Sequence, residues 1–589
     1  MKLLETECSN CGAKLERIDR QTLKCSFCGA TFLVVERETE LANITNTPKN
    51  NKALVGIILS IFVFTIILPI IFFIFSASEQ SGGEDSILNT DSIYSDNIND
   101  TFTTFCETIF NKNHDDITGD DFETVSYLSV KYSRDYTEVI CIANDIENNF
   151  TYEGNPSYIV KYAYKFVNLE TLICNSQISA EYIEGLNKLT HLTCSNNIND
   201  LPGIHSCPEK LLTLKGVYCE DTIENLTAFS SITTLELNMH DSTKDISALG
   251  DLTTLEALSL DSYHEYKQFG FLDKLYNLKE LYIDCEGLHN IDFVKNMNQL
   301  ESLNIEGSSI TSLAPLKGNT NLKTLLINNC DKINDVEIVN TINGLETLSL
   351  SGESIYDKIL WENLHTLKDL RIDSFLDSNF VENAYQLTSL EHLHLGWCGQ
   401  DLTDLNKLTN LKSLTLEYIN TNYYFLNGMT SLESIVIQNV LYNSYGAENI
   451  FQLPNIKNIT LFDGTFYIDT DRISENSSIE KIDIKYCSLR NIDYNSLTET
   501  ELSDIIEKCP SLKEFYLRGA DITTIDFVTM LPNLEIIDIT NNFVSDLTPL
   551  TNCKNLKYVK CGDNAYSSLP TFPEGIYVDQ RGEENIRYK

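Results

Sequence analysis

The feature that most constrains the fold is an apolar pattern, LxxLxL, that recurs about every 22 residues from residue 169 almost to the C-terminus. Isoleucine or phenylalanine replaces leucine in some copies. Most steps between copies are 21 to 24 residues, and one step of 33 marks an insertion around 490–505. The eighteen copies begin at Leu169, Leu189, Leu211, Ile232, Leu255, Leu278, Leu300, Leu322, Leu345, Leu367, Leu390, Leu411, Leu432, Ile456, Ile479, Leu512, Leu534 and Leu556.

Each copy predicts one short strand and one return arc. Neither piece buries its apolar side alone, so neighbouring copies must stack to form a continuous core. A period of 20 to 29 residues around an alternating strand is the signature of a leucine-rich repeat. We therefore predict an α/β-type repeat solenoid, a leucine-rich-repeat horseshoe with a parallel β-sheet on its concave face.

The return arcs carry a family resemblance. Segments such as DISALGDL (245–252), SLAPLKGNTNL (312–322) and DLTPLTNCKNL (546–556) resemble the 22-residue repeats of internalins, which are bacterial surface proteins. The stretch ITGDDFETVSYLSV (117–130) is similar to the cap that precedes such arrays. The resemblance implies a right-handed horseshoe whose concave face binds a protein. Many units lack the proline that the return arcs at 312–322 and 546–556 contain, and no C-terminal LPxTG motif is present. The resemblance therefore implies no particular receptor.

Residues 53–76 form an apolar run of twenty-four positions without a charge. As a helix this run extends about 36 Å, enough to cross a hydrocarbon layer of about 30 Å. It is longer than the apolar part of a signal peptide and follows a 52-residue segment, so we predict a retained transmembrane anchor. Lys49 and Lys52 precede it, and acidic residues follow it. The N-terminus is therefore expected in the cytoplasm of a bacterial cell, and the repeats outside it.

The N-terminal segment contains two CxxC pairs, Cys8 with Cys11 and Cys25 with Cys28, each followed by glycine. Four thiolates in two such turns predict a closed, tetrahedral, structural Zn²⁺ site. Two disulfides are the alternative, which a cytoplasmic location disfavours. The segment resembles the zinc-ribbon module at the N-terminus of many bacterial membrane proteins.

These observations predict a division of the chain into six segments. They are a zinc ribbon at 1–40, a transmembrane helix at 53–76, a flexible acidic tether at 77–100, an N-terminal cap at 101–168, leucine-rich repeats at 169–575 and a C-terminal tail at 576–589.

Thirteen cysteines follow the predicted membrane segment, and their positions indicate a structural role. Some lie eight residues after the first leucine of a unit, where such repeats place a side chain that bonds to neighbouring backbone: Cys330, Cys398 and Cys487. Others occupy the third apolar position of a strand: Cys174, Cys194 and Cys561. We predict that they are buried, unpaired thiols, which fits a bacterium living with little oxygen better than a eukaryotic secreted protein.

Side chains alternate along a strand, so the position between the last two apolar residues of each unit should face solvent. This row comprises Ser259, Tyr282, Asn304, Leu326, Ser349, Arg371, His394, Thr415, Val436, Thr460, Asp483, Tyr516, Asp538 and Lys560. Arg371, His392, His394, Trp397 and Tyr418 should form one patch on three consecutive strands of the concave face. Arginine, tryptophan and tyrosine most often anchor protein interfaces, so we predict a ligand site there.

The formal net charge of −42 disfavours nucleic acid as a partner, although solubility alone also explains such acidity. The sequence contains no phosphate-binding loop, HExxH motif or recognisable nucleophile–base pair. The leading hypothesis is therefore a cell-surface adhesion or recognition receptor that binds a protein and is not an enzyme. The alternative is a transmembrane sensor that reports ligand occupancy to the zinc ribbon. An enzyme is the third and weakest alternative.

Overall fold

A computed structural model describes residues 15–17, 22–25, 31–33, 94–133, 136–203, 211–223, 229–262, 264–351, 358–373, 378–397, 402–441 and 444–582. Within these ranges, residues 101–582 belong to one compact unit. Three antiparallel strands lie near the N-terminus: β1 (Leu15–Arg17), β2 (Thr22–Cys25) and β3 (Thr31–Leu33).

Two predicted features fall largely outside the described residues. Cys25 ends β2, but Cys8, Cys11 and Cys28 are not described, so the zinc site stays a prediction. The predicted anchor at 53–76 also lies outside the described residues. Within the described ranges, no helix has both the length and the apolar character needed to span a membrane.

A helical and antiparallel segment precedes the repeats. Its aromatic residues cover the end of the core: Phe102 is buried and stacks on Tyr162 with ring centroids 4.2 Å apart. The first helix begins at Tyr94, so the end of the segment predicted as a flexible tether is helical. The composition of that segment alone did not indicate a helix. The elements are α1 (Tyr94–Phe110), α2 (Gly119–Phe122), β4 (Val125–Ser133), β5 (Tyr136–Ala143), β6 (Ile146–Glu153) and α3 (Ser157–Val160).

Each of the eighteen predicted units contributes a strand that begins two residues after its first apolar residue. The strands are β7 (Thr171–Cys174), β8 (His191–Thr193), β9 (Thr213–Cys219), β10 (Thr234–Met239), β11 (Ala257–Ser262), β12 (Glu280–Cys285), β13 (Ser302–Glu306), β14 (Thr324–Asn328), β15 (Thr347–Ser351), β16 (Asp369–Asp373), β17 (His392–Gly396), β18 (Ser413–Glu417), β19 (Ser434–Gln438), β21 (Asn458–Tyr467), β22 (Lys481–Arg490), β23 (Glu514–Arg518), β24 (Ile536–Asp538) and β25 (Tyr558–Lys560). Two further strands are β20 (Ser444–Tyr445) and β26 (Tyr577–Asp579). Because β26 pairs with β25, the sheet continues into the predicted tail.

The repeat strands pair in parallel, each with the strand of the next unit, and the cap joins the sheet where β4 pairs with β7. Leucines align with leucines: Leu393 pairs with Leu370 on one side and Leu414 on the other, and all three are buried. Stacking of the units therefore produces the continuous core that the apolar period predicted, and the parallel leucine-rich-repeat sheet is confirmed.

The return arcs consist mainly of 3₁₀ turns rather than α-helices. The predicted α/β class therefore overestimated the α-helical content of the arcs. A unit of about 22 residues leaves little room for an α-helix after its strand and turns. The 3₁₀ helices are His114–Asp116, Ala163–Lys165, Ala180–Tyr182, Ile198–Gly203, Ser247–Asp251, Phe269–Lys274, Asp292–Asn296, Ala314–Leu316, Val336–Thr341, Trp361–Leu364, Ala384–Gln386, Thr403–Lys407, Tyr423–Leu426, Thr470–Arg472, Asp526–Met530 and Thr548–Asn552.

Three short α-helices interrupt the arcs: α4 (Ser378–Asn383), α5 (Glu448–Phe451) and α6 (Glu499–Glu507). The last one forms the predicted insertion. Thr498 caps it, because its side chain accepts a hydrogen bond from the Glu501 amide while the Glu501 carboxylate accepts one from the Thr498 amide.

In several units, the turn after the strand is held by a side chain that donates to backbone carbonyls. Asn542 Nδ2 donates to Leu517 O at 2.7 Å and to Ile539 O at 2.9 Å. Cys330 occupies the same position of its unit, and its thiol donates to Asn328 O at 3.2 Å. The predicted role of such cysteines is therefore confirmed at this position.

The cysteines of the described repeats and cap are buried and unpaired, as predicted: Cys106, Cys141, Cys174, Cys194, Cys219, Cys285, Cys330, Cys487, Cys509, Cys553 and Cys561. Burial raises the pKa of Cys141 to about 12, so this thiol remains protonated and unreactive at neutral pH. Cys398 lies outside the described residues.

Candidate ligand-binding face

The predicted row forms one continuous register across fourteen strands, but it does not face solvent throughout, because Tyr282, Ser349 and Asp538 are buried. Cα partners run from Ser259 through Tyr282 and Asn304 to Lys560 without a slip. We call the side of the sheet that carries this row the ladder face. Because side chains alternate along a strand, the positions two residues before and after the row lie on the same face.

Arg371, Asp373, His394 and Glu417 form a polar cluster near the middle of the ladder face. Arg371 Nε donates to Asp373 Oδ2 at 2.5 Å. His394 Nε2 lies 2.9 Å from Asp373 Oδ1 and 3.7 Å from Glu417 Oε2. Arg371 and His394 are direct register partners, so the structure brings these two predicted site residues together.

The carboxyl group of Asp373 is held ionised by this cluster. Burial tends to raise its pKa, but contact with His394 and the charge of Arg371 outweigh burial, and the pKa lies below its usual value. The side chain of Arg371 is about half exposed. The cluster is therefore a fixed arrangement of charges with one side open to solvent.

Trp397 and Tyr418 lie next to the cluster, but strand alternation does not place them there. Both follow the end of a strand and have left-handed backbone, with φ of 53° and 51°. The equivalent positions of other units hold residues that tolerate this conformation, such as Gly307, Asn329 and Asn439, but one of them holds a third aromatic residue, Tyr486. A bulky side chain there costs about 1 kcal/mol. We predicted that alternation along the strand places Trp397 on the ladder face. That reason was wrong, because the strand ends at Gly396 and the chain turns at Trp397.

The two aromatic rings stack on each other. Their centroids are 4.3 Å apart and their planes differ by 14°. Trp397 remains 41% exposed, whereas Trp361, the other tryptophan, is buried. The backbone amide of Trp397 donates to Glu417 O at 2.9 Å, which ties the ring pair to the polar cluster. The patch is therefore a preformed aromatic surface beside fixed charges.

His392, the remaining predicted member of the patch, is exposed and lies in register with Asp369 and Ser413. The described part of the chain contains no group of three or more histidine, cysteine or acidic side chains that could hold a metal ion. His392 adds an exposed polar side chain to the patch.

A row of carboxylates on the ladder face was missed at the sequence level. Asp261, Asp284 and Glu306 are consecutive register partners on β11, β12 and β13. Burial, reinforced by the charge of Asp284, raises the pKa of Asp261 to about 6. The signal was available, because all three residues lie six positions after the first leucine of their units.

A second missed row alternates in charge one residue after the first apolar residue of the fourteen units from Leu255 onward. It runs Glu256, Lys279, Glu301, Lys323, Glu346, Lys368, Glu391, Lys412, Glu433, Lys457, Glu480, Lys513, Glu535 and Lys557. Each lysine pairs with the glutamate of the preceding unit at N–O distances of 2.6 to 3.1 Å. Because equal numbers of opposite charges cancel, this row adds nothing to the net negative charge of the protein.

Part of the chain matches a model of a known family of repeats. The family model described as leucine-rich repeats in two copies matches residues 510–552. An internalin from Listeria monocytogenes is similar at 16% identity over 61% of this chain and 89% of its own, with a TM-score of 0.35. A leucine-rich-repeat protein from Leptospira interrogans is similar at 15% identity over 59% and 88%, with a TM-score of 0.42.

The ectodomain of the Arabidopsis receptor kinase HAESA, solved with a peptide hormone ligand, is similar at 15% identity over 72% of this chain and 89% of its own, with a TM-score of 0.34. No curated protein was found to match the chain. These likenesses concern the repeat fold and carry no information about a ligand.

Proposed function

We propose that this protein is a receptor that binds a protein ligand on the ladder face and has no catalytic role. The observation that supports the proposal most is the patch formed by Arg371, His394, Trp397 and Tyr418. A stacked, exposed tryptophan–tyrosine pair beside an arginine combines apolar area with directional donors, which is typical of the residues that dominate interface energies.

The backbone strengthens this proposal. Trp397 and Tyr418 occupy left-handed positions where most other units use residues such as Asn329 or Gly307, and one uses Tyr486. Aromatic side chains are disfavoured there, and the exposed Trp397 ring contributes little to the leucine core. Unfavourable backbone without a matching gain in packing is typical of functional positions.

The proposal extends to the location of the protein. We propose that residues 53–76 anchor it in a bacterial membrane, that residues 77–589 are outside the cell, and that the four N-terminal cysteines hold a structural Zn²⁺ in the cytoplasm. The lysines before the apolar run and the acidic residues after it support this orientation.

The test of ligand binding uses the full-length protein to capture surface-exposed proteins, with affinities then measured for each captured partner. Replacing Trp397 and Arg371 together by alanine should weaken binding about tenfold or more, since loss of an interface anchor costs about 2 kcal/mol. The melting temperature should change little, because both side chains are outside the core.

The matched control is Lys317→Ala, an exposed position in a return arc just after the 3₁₀ turn Ala314–Leu316. It should leave affinity unchanged. A captured partner that binds the alanine pair as tightly as the parent protein, or that loses equal affinity through Lys317→Ala, would refute binding at the ladder face.

A further inference from the structure

Three large aromatic residues share one position of their repeat units. In five neighbouring units, the residue after the last ladder-face side chain has left-handed backbone, with φ between 48° and 55°. We call these residues the turn row: Trp397, Tyr418, Asn439, Asp463 and Tyr486. Asparagine and aspartate tolerate this conformation, whereas bulky side chains are disfavoured in it. The three aromatic members therefore carry a backbone cost that the other two do not.

Tyr486 belongs to a second aromatic group on the ladder face. Its ring centroid lies 6.2 Å from that of Phe462, a ladder-face residue of β21. Lys485 Nζ lies over both rings, 5.2 Å from the centroid of Tyr486 and 5.8 Å from that of Phe462. The Tyr486 ring also covers Gly519 of the next unit, where a Cβ would lie 2.5 Å from Tyr486 Cδ1. Tyr486 is nevertheless 42% exposed, so its ring is a positioned aromatic surface.

Three strand steps separate the centres of the two aromatic groups. The first pair (Trp397 and Tyr418) belongs to the units of β17 and β18, and the second pair (Phe462 and Tyr486) belongs to β21 and β22. Only β19 lies between β18 and β21 in register, and it contributes the uncharged Gln438. At about 4.8 Å per step, the two centres are about 14 Å apart. The ladder face therefore carries two apolar anchors at a defined spacing.

We infer that the two pairs together bind one extended segment of the protein partner, which crosses the strands and places an apolar side chain on each pair. The inference rests on the proposed function and specifies the form of the ligand at the same site. An extended chain rises about 3.4 Å per residue, so side chains about four residues apart span about 14 Å. An even separation also keeps both side chains on the same side of the segment.

A helical segment matches this spacing less well. Side chains on one face of a helix recur about seven and about eleven residues apart, which corresponds to about 10 Å and about 16 Å along the axis. Neither distance equals the separation of about 14 Å between the two pairs. The spacing of the pairs therefore favours an extended ligand.

The test pans the full-length protein against a phage library of random dodecapeptides. The bound peptides should share two apolar residues about four positions apart. The affinity of a fluorescein-labelled copy of the most enriched peptide is then measured by fluorescence polarisation. Inserting one residue between its two apolar positions should weaken binding about tenfold or more, because the two side chains then lie on opposite sides of the extended chain.

Variants test each pair separately. Asparagine is suitable at the turn row because Asn439 already occupies it in a unit between the two pairs. Tyr486→Asn should weaken peptide binding about tenfold or more and leave the melting temperature near that of the parent, and Trp397→Asn should do the same. The matched control, Tyr276→Asn, removes an exposed tyrosine outside the ladder face and should change affinity within about twofold. If Tyr486→Asn does not fold, Phe462→Gln, which copies the register partner on β19, replaces it.

Three results would overturn the inference. A library that yields no peptides with this spacing would show that the two pairs do not act together. Unchanged peptide affinity in the folded Tyr486→Asn variant would show that the second pair is unused. Equal binding of the peptide with the inserted residue would show that the bound segment is not extended across both pairs.

A captured protein partner separates this inference from the proposed function. A partner that needs Trp397 and Arg371 but tolerates Tyr486→Asn would remove the second pair and leave the proposed function standing. Absence of any captured partner would refute the proposed function, and the peptide library would still test the two pairs.

Discussion

Replacing Asp261 by asparagine is expected to stabilise the protein at neutral pH. Asp261 lies on β11 between Asn238 and Asp284 in register, and its buried Oδ1 atom accepts no hydrogen bond from the residues that the structure describes. Burial and the neighbouring carboxylate of Asp284 raise its pKa from 3.8 to about 6. The ionised form is therefore disfavoured in the folded state, and asparagine removes that charge at nearly constant volume.

The magnitude follows from the shift in pKa. A change from 3.8 to about 6 corresponds to about 3 kcal/mol of destabilisation by the ionised group. The side chain is partly exposed, and solvent screening reduces the expected figure to about 1 to 2 kcal/mol.

The pH dependence has a definite sign. Because the folded pKa lies above the unfolded pKa, the destabilisation is absent below about pH 4, grows as pH rises and is complete above about pH 6. The gain from Asp261→Asn should therefore be largest at about pH 8 and roughly half as large at about pH 5. The pI near 4.5 makes lower pH unsuitable because of poor solubility.

The assay is urea denaturation of the parent and variant proteins at both pH values. The control is Asp273→Asn, an exposed carboxylate in the return arc Phe269–Lys274, which should change the free energy of unfolding little at either pH. A loss of stability by Asp261→Asn at about pH 8, or an equal gain at both pH values, would refute the reasoning.

Three further predictions concern features inferred from the sequence. Residues 1–45 alone should bind one Zn²⁺ and lose structure with a chelator; Cys25→Ser should abolish binding, and a metal-free parent segment would refute the site. Protease added to intact cells should degrade residues 77–589 and spare an N-terminal tag, whereas a protected repeat array would place the repeats in the cytoplasm. The cysteines of the folded repeats should resist alkylation and react after unfolding; native disulfides detected by mass spectrometry would contradict this expectation.

The sequence by itself was sufficient for the repeat fold and the register of its sheet. Every unit's strand begins two residues after its first apolar residue, and the row from Ser259 to Lys560 is continuous in register. Both follow from local periods, because each unit repeats the same alternation and contacts mainly its neighbours. The buried cysteines followed from the same period, since their positions within the unit are core positions.

Only the tertiary structure decided what the individual side chains of the ladder face do. His394 approaches Asp373 and Glu417, each about 21 to 23 residues away in the chain, and the distances depend on how adjacent units stack. Trp397 and Tyr418 stack because the backbone becomes left-handed where the strands end, which alternation along a strand does not describe. A repeat period specifies the position of each residue within its unit. It does not specify the side-chain and turn conformations through which charged groups and aromatic rings of adjacent units come into contact.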